Sequence, residues 1–206
     1  RSGNDLLALI SDVLDIARIE AGVLELDHDD IEPARIVEEV TELLAPQAQA
    51  KGVEIVADIP LAALCRVQGD RARIWQIMMN LVGNAIKFTA VGTVTARLRL
   101  EGANQGQARL IFSVEDTGVG MDEVTSEQVF EMFYQHNGSS TDVSKGSGLG
   151  LPIVKQLVEL MGGTVRVASQ PDQGSCFTVA LTLPLVESAQ ALAPVDLTGR
   201  VFVVGM

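Results

Sequence analysis

The sequence is poor in the residues that build metal clusters and disulfide frameworks. Its 206 residues include two cysteines and two histidines, too few for a zinc-type metal centre. Cys65 and Cys176 are far apart, and each lies beside apolar neighbours. We therefore expect two reduced, buried thiols. A fold held together by disulfides or by a structural metal is not predicted.

Positive charge is also scarce. Lysine and arginine together number 15 against 27 aspartates and glutamates, which gives a formal net charge of −12. A chain this acidic is not expected to take a nucleic-acid backbone or an anionic membrane as its main partner. If the chain binds a phosphate ligand, its few cations must be concentrated at that site.

Long apolar runs are missing as well. No uninterrupted run approaches the roughly 20 residues that span a bilayer. The polar start, residues 1–5, leads into an amphipathic segment and does not have the pattern of a signal peptide. Hydrophobic residues nevertheless make up 47% of the chain, enough to bury a substantial core. The sequence predicts one full-sized domain with short appendages.

Residues 4–22 have the spacing of an amphipathic helix. Apolar residues recur on one face, at Leu6, Ile10, Val13 and Ala17. Gly22 is a suitable C-terminal stop. Because the apolar face is broad, we expect it to pack against a helix of another chain or of a segment outside this sequence. A short strand, 23–26, is predicted next.

The rest of the chain alternates between helical and extended patterns. Pro33 suits the first turn of a helix, and Pro46 is expected to end or kink it. Asp70 is a natural N-cap for the next helix, which reaches Phe88. Helices are also predicted at 125–133 and 149–161, and strands at 53–59, 93–100, 108–115, 164–169 and 175–183. This order predicts an α/β sandwich (α+β), with helices backing a mixed, largely antiparallel sheet.

Two asparagines and a lysine share one face of the helix that ends at Phe88. Asn80, Asn84, Lys87 and Phe88 are spaced three to four residues apart or adjacent, which places them on one side. Amide oxygens are hard ligands suited to Mg²⁺, and lysine offers a point charge to phosphate. A solvent-exposed polar stripe would have the same spacing, so this segment alone does not distinguish a site for Mg²⁺ and phosphate from an ordinary polar face.

The first of two glycine-rich segments directly follows a predicted strand and contains Asp116, Gly118 and Gly120. A carboxylate here can accept a hydrogen bond from an exocyclic amine such as that of adenine. The glycines let the backbone approach a flat ligand closely. An ordinary turn at the end of a strand can have the same residues, so the pattern alone is weak.

The second glycine-rich segment precedes a predicted helix and consists of Gly146, Ser147, Gly148, Leu149 and Gly150. Glycines that open a helix present backbone N–H groups and the positive end of the helix dipole to phosphate. The segment fails as a dinucleotide fingerprint because no strand immediately precedes it. The polar run 137–145, which ends in Lys145, is a candidate mobile lid.

Together these motifs resemble the N, G1, F, G2 and G3 boxes of sensor histidine kinases. The matching residues are Asn80 and Asn84, Asp116-x-Gly-x-Gly, Phe130-Glu-Met-Phe133, Gly146-x-Gly-x-Gly150 and Gly174-Ser-x-Phe177. The last of these would be an ordinary hairpin glycine if it stood alone. The resemblance covers about residues 33–184, and five boxes in one order make a chance match improbable.

The resemblance implies an ATP-binding fold of the GHKL type, with ATP and Mg²⁺ as cofactors. It implies that Asn84 coordinates Mg²⁺, that Asn80 and Lys87 approach the phosphates, and that Asp116 reads adenine. Phe88 would line the base. The glycines of the second glycine-rich segment would form the hinge of a lid. Phe130 and Phe133 would anchor that lid, whereas composition alone predicts that both are core residues.

The two ends are similar to neighbouring parts of a hybrid kinase. Residues 1–22 resemble the second helix of the dimerisation domain, 23–184 the catalytic domain, 185–198 a linker, and 199–206 the start of a receiver-like domain. The implied partners are a phosphoacceptor histidine helix of the same protein, a receiver domain or response regulator, and a second copy in a homodimer. The implied location is the cytoplasm.

Two features depart from the family pattern. The acceptor motif, a histidine followed by an acidic residue on the first dimerisation helix, is absent. His28 lies in an acidic loop, and His136 lies at the candidate lid. A receiver's first strand usually ends in paired acidic residues, where this chain has Gly205 and Met206. The acceptor histidine is therefore expected on another segment.

Three functions compete for such a domain. The leading one is a kinase that transfers the γ-phosphoryl group of ATP to a histidine absent from this chain. The second is an ATP hydrolase of the same superfamily. Such hydrolases resemble one another in carrying a glutamate four residues before the Mg-binding asparagine, and that glutamate can act as a base on water. This chain has Asn80 there. A non-catalytic nucleotide-binding regulatory module would need lost ligands, whereas the main boxes are filled. The sequence favours the kinase.

Overall fold

A computed structural model describes residues 13–19, 21–132, 134 and 148–188. Its strands are β1 (Asp29–Ile31), β2 (Val53–Asp58), β3 (Cys65–Gly69), β4 (Gly92–Asn104), β5 (Gln107–Asp116), β6 (Thr164–Gln170) and β7 (Gly174–Ser188). Its helices are α1 (13–19), α2 (Pro33–Lys51), α3 (Arg71–Phe88), α4 (Glu123–Gln128) and α5 (Gly150–Leu160), with a 3₁₀ turn at Leu61–Ala63.

The described strands form one sheet in the order β1-β3-β7-β5-β4-β2. Strand β7 pairs with β5 along one of its edges. Along the other edge of β7, residues 174–180 pair with β6 and residues 185–188 pair with β3. The β2–β4 pair is parallel, and the other pairs are antiparallel. The predicted α+β sandwich with a mixed, largely antiparallel sheet is thereby confirmed.

Strand β5 shows how the sheet directs one polar residue into the interior. Its alternate residues Leu110, Phe112 and Val114 are at most 1% exposed, because α3 packs on that face. Asp116 continues the same alternation at the end of the strand and is 5% exposed. Glu115 points to the opposite, open face and pairs with Arg97. The period of two therefore places Asp116 on the helix side of the sheet.

Helix α3 follows the prediction closely. Asp70 is its N-cap and accepts a hydrogen bond from the Arg73 backbone N–H at 3.0 Å. One side of the helix is buried in the core, through Ile74, Ile77, Met78, Leu81, Val82, Ala85 and Ile86. Asn80 and Asn84 lie on its flank and are half-buried. The apolar stripe therefore fixes the direction in which the two amides point.

Helix α2 runs through Pro46 to Lys51, so of the two predicted effects, a helix end or a kink, the helix end does not occur. A proline inside a helix costs about 3 kcal/mol. Val37, Val40 and Leu44 before it and Ala48 after it are buried against the core, and each fully buried Val- or Leu-sized side chain contributes roughly 1.5–3 kcal/mol. Packing on both sides of the proline outweighs the lost hydrogen bond.

The prediction for the N-terminal segment is confirmed for the described part of its helix and wrong for its strand. Residues 13–19 are helical, but the rest of the predicted helix 4–22, apart from residues 21 and 22, lies outside the described residues. A complete dimerisation helix is therefore not among the described elements. The predicted strand 23–26 does not form, because none of the described strands pairs with those residues. The first strand in the described part of the chain is β1, which pairs with β3.

Strand β3 was not predicted, and it moves the boundary of the domain. Its first residues, 65–67, pair with residues 185–188 of β7. Those residues are therefore sheet, and the predicted linker 185–198 begins too early. The continuation, 189–206, lies outside the described residues and includes the predicted receiver-like start. No described helix combines the length and hydropathy that a membrane span requires.

The two cysteines are both free. Cys65 is buried as predicted, and burial raises the pKa of its thiol. Cys176 is only half-buried, because it lies on the open face of β7 beside Ala168. The prediction that both thiols are buried was therefore right for Cys65 and wrong for Cys176.

Candidate functional site

The asparagine pair of α3 faces the first residue of α5. A Cβ added to Gly150 would lie 3.0 Å from Asn80 Oδ1 and 3.9 Å from Asn84 Nδ2. A side chain at position 150 would therefore press on both amides. The structure thus brings together two motifs that are 70 residues apart in the sequence, Asn80 and Gly150.

Helix α5 offers backbone N–H groups beside that pair. It begins at Gly150 without a side-chain cap, after Gly148 in the left-handed region at φ 71°. Leu149, the residue before the helix, is 2% exposed and packs into the core. The buried leucine fixes the start of α5, so the positive end of the helix dipole lies next to Asn80 and Asn84.

Lys87 and Phe88 close the C-terminal end of α3. The Lys87 Nζ atom lies 4.9 Å from the centroid of the Phe88 ring, a cation–π distance. Lys87 is half-buried, and burial lowers the pKa of its ammonium group. Phe88 is 50% exposed, so its ring is available to a ligand.

Asp116 is held by two backbone N–H groups at the end of β5. Its Oδ1 accepts a hydrogen bond from the Gly118 N–H at 2.8 Å, and the Ser175 backbone N–H lies beside the carboxylate and lowers its pKa. Burial raises the pKa of Asp116 above its usual value of 3.8, and the two N–H groups oppose that shift. A buried and oriented carboxylate can accept a hydrogen bond from a ligand amine.

Asp116→Asn should gain stability relative to the wild-type empty domain as pH rises towards neutral. Because the folded pKa of Asp116 is raised, its contribution to the free energy of unfolding is full below the usual value of 3.8 and is lost as pH rises through the folded pKa. Asparagine does not titrate. The thermal midpoint of the variant relative to wild type should therefore increase from about pH 4 to about pH 7. A relative midpoint that falls over this range would contradict the assignment.

The glycine loop, residues 117–121, passes between α3 and the β6–β7 turn. The Val119 N–H donates to the Phe88 carbonyl at 3.4 Å. Gly120 has a φ of 62°, and a Cβ there would overlap the Gln170 carbonyl oxygen. Only glycine satisfies both the left-handed backbone and the close approach. The sequence predicts a close approach of this backbone to a flat ligand; the close approach at Gly120 in the structure is to Gln170 of the protein itself.

Phe130 lies beyond α4, where its ring packs edge-on against Phe177 with the centroids 6.2 Å apart. It is half-buried against the core, as composition alone predicted. Outside the described residues lie the candidate lid, 137–145, and also Phe133, His136, Gly146 and Ser147; Lys145 ends the lid. His28 is exposed, in the segment between α1 and β1.

Two residues near the site were not predicted. Lys51, at the end of α2, donates from Nζ to the carbonyls of Ile86 and Lys87 at 2.6 and 2.9 Å. Ser169, at the end of β6, bonds to the glycine loop through the Met121 N–H at 2.8 Å. Neither belongs to a motif, because each acts across the fold through backbone groups. A groove of about 630 Å³ beside Asp116 includes Ser169 in its lining.

Known proteins resemble this chain in sequence and in fold. The model of the family described as "Histidine kinase-, DNA gyrase B-, and HSP90-like ATPase" matches residues 69–187, more than half of the chain. The sensor protein GacS of Pseudomonas syringae pv. syringae is 42% identical over 188 residues, which are 89% of this chain and 20% of GacS. BarA of Escherichia coli K12 is 38% identical over 185 residues, with 90% and 20% covered.

Solved structures share the fold of this chain. The crystal structure of full-length ShkA in complex with AMPPNP has a TM-score of 0.79 and 35% identity, and covers 91% of this chain and 38% of ShkA. Acinetobacter baumannii AdeS, at 22% identity and a TM-score of 0.69 over 86% of this chain and 78% of AdeS, shares the fold. The chain spans about a fifth of the length of the curated relatives named above. It belongs to the family of histidine kinase-, DNA gyrase B- and HSP90-like ATPases.

Proposed function

We propose that this domain binds Mg-ATP and is the catalytic domain of a sensor histidine kinase. It would donate the γ-phosphoryl group to a histidine on a dimerisation helix that the described residues do not contain. The observation that carries the proposal is the approach of Asn80 and Asn84 to Gly150. Amide groups and a helix N-terminus there converge on one point, as a metal–triphosphate ligand requires.

Asn84 would hold the Mg²⁺ ion. Mg²⁺ prefers hard oxygen ligands and keeps several waters, so it is commonly held by one or two protein oxygens together with phosphate oxygens. An asparagine amide can present its oxygen by rotating its terminal group, and half-burial leaves Asn84 accessible. When bound, the metal neutralises phosphate charge.

The phosphates would lie between α3 and α5. The N–H groups at the start of α5 can bind phosphate oxygens, and the helix dipole favours the negative charge. Asn80 can donate from its amide, and Lys87 supplies a cation at the end of α3. Lys145 and the glycines from Gly146 onward would complete this cradle, and Phe130 would tie the lid's beginning to the sheet.

The base would bind at Asp116. The carboxylate is oriented by the Gly118 and Ser175 N–H groups and can accept a hydrogen bond from the exocyclic amine of adenine. Phe88 lies beside the glycine loop with half of its surface exposed, so its ring can line the base. A nucleotide would then run from Asp116 towards Gly150.

The kinase is preferred to an ATP hydrolase because of residue 80. Hydrolysis needs a group that orients and deprotonates water, and the Asn80 amide is a poor base. Phosphoryl transfer to histidine requires mainly positioning and neutralisation of charge by this domain. A regulatory module that binds nucleotide without chemistry remains the alternative. The partners would be the phosphoacceptor helix, a receiver domain or response regulator, and a second copy, all in the cytoplasm where ATP is available.

The domain alone should bind Mg-ATP without becoming phosphorylated, and it should hydrolyse ATP very slowly. His28 is surrounded in sequence by Asp27, Asp29 and Asp30, whose charges repel a triphosphate. The measurement is acid-labile phosphate after incubation with radiolabelled ATP and Mg²⁺.

The same assay tests the transfer itself. When the parent protein's phosphoacceptor hairpin is added, the label should appear on the hairpin. Stoichiometric label on His28 or His136 would overturn this account. An unlabelled hairpin together with normal nucleotide binding would favour the regulatory module.

A further inference from the structure

The β6–β7 turn, residues 170–174, forms one wall of the glycine loop. The Asp172 N–H donates to the Val119 carbonyl at 2.8 Å. A Cβ at Gly174 would overlap the Asp116 carbonyl oxygen, so the turn and the end of β5 are in direct contact. The position of Asp116 therefore depends on the strand pair that carries this turn.

Ser169 lies at the centre of that contact. Its hydroxyl oxygen is 2.8 Å from the Met121 N, 2.9 Å from the Gly174 carbonyl oxygen and 2.9 Å from Ser175 Oγ. These three partners belong to the end of the glycine loop, the turn and the start of β7. One hydroxyl group thus joins the three segments around Asp116.

The number of protons sets the direction of each bond. A serine hydroxyl has one proton and two lone pairs. The Gly174 carbonyl can only accept, so the Ser169 proton goes to it. The Met121 N–H and the Ser175 hydroxyl then donate to Ser169, which fills both lone pairs. The Ser175 backbone N–H lies beside the Asp116 carboxylate and lowers its pKa, so Ser169 is linked through Ser175 to the carboxylate that would read the base.

We infer that Ser169 is a positioning residue for base recognition: it fixes the glycine loop and Ser175 so that the Asp116 carboxylate faces the exocyclic amine of the nucleotide. This inference rests on the proposed function. Removing the hydroxyl leaves the Met121 N–H and the Ser175 hydroxyl without their shared partner. The effect should appear in discrimination between bases, since the phosphate site between α3 and α5 is built from other elements.

The test compares ATP with inosine triphosphate, which has a carbonyl in place of the exocyclic amine. The dissociation constants of both nucleotides are measured by calorimetry with Mg²⁺. Wild type should prefer ATP, and Ser169→Ala should reduce that preference by about tenfold, equivalent to roughly 1.4 kcal/mol, mainly through weaker ATP binding. Ser169→Thr keeps the hydroxyl and should retain the preference. Thr164→Ala, at the exposed far end of β6, is the matched control and should also retain it.

The outcomes separate this inference from the proposed function. An unchanged preference in Ser169→Ala would overturn the positioning role alone, and so would an equal loss of affinity for both nucleotides. Equal binding of both nucleotides by wild type would overturn the role of Asp116 and this inference with it. If Ser169→Ala does not fold, amide exchange in the unmodified protein tests the hydrogen bond from the Met121 N–H to Ser169. The Met121 N–H should exchange at least about tenfold more slowly than a free amide, and exchange at the free rate would reject the bond.

Discussion

Asn84→Ala should abolish the dependence of ATP binding on Mg²⁺ while leaving the fold intact. Asn84 lies on the flank of α3, next to Gly150, whereas the neighbouring Leu81 and Ala85 form the buried side. Alanine removes the oxygen that would bind the metal and keeps a good helix former in place. The loss should therefore appear in nucleotide affinity and not in thermal stability.

The measurement is calorimetric titration of ATP with excess Mg²⁺ and again with a chelator. Gln47→Ala is the matched control, because it removes an exposed side-chain amide from α2, away from the site. Wild type and control should bind more tightly with Mg²⁺, and Asn84→Ala should bind equally weakly in both conditions. A variant that keeps the wild-type difference would exclude Asn84 as the ligand.

Asp116→Asn should weaken ATP binding by about 5- to 150-fold. The substitution keeps the shape of the side chain but replaces one acceptor oxygen with a donor that faces the adenine amine. One unpaired buried polar group costs about 1–3 kcal/mol, which corresponds to that range of dissociation constants. The thermal midpoint of the variant, measured in the titration buffer, separates weaker binding from unfolding.

The neighbouring carboxylate provides the control for Asp116. Glu115 lies one residue earlier, on the open face of the sheet, and pairs with Arg97. Glu115→Gln makes the same chemical change, carboxylate to amide, outside the covered face. It should leave ATP affinity unchanged. Equal affinity in Asp116→Asn and wild type would reject base recognition by Asp116.

Local patterns predicted the parts of the site that lie on single elements. The direction of Asn80 and Asn84 follows from the apolar stripe of α3, which begins at the Asp70 cap. The direction of Asp116 follows from the alternation of β5. In both cases the periodicity of one helix or strand decides which side chains are buried, so the residue spacing was sufficient.

The parts that were not predicted depend on pairings between distant segments. Strand β3 is short and forms because the end of β7 pairs with it. Ser169 matters because the β6–β7 register places it opposite Ser175. Pro46 is tolerated within α2 because of burial on both sides of it. Each of these results reflects tertiary contacts that override or add to local preference.

The central claim is that Mg-ATP binds between the asparagine face of α3 and the start of α5. A crystal structure with Mg²⁺ and a non-hydrolysable ATP analogue tests it most directly. The account predicts a metal about 2.1 Å from Asn84 Oδ1, triphosphate oxygens at the N–H groups that open α5, and the adenine amine on the Asp116 carboxylate. A nucleotide bound elsewhere, or a metal without Asn84 among its ligands, would contradict it.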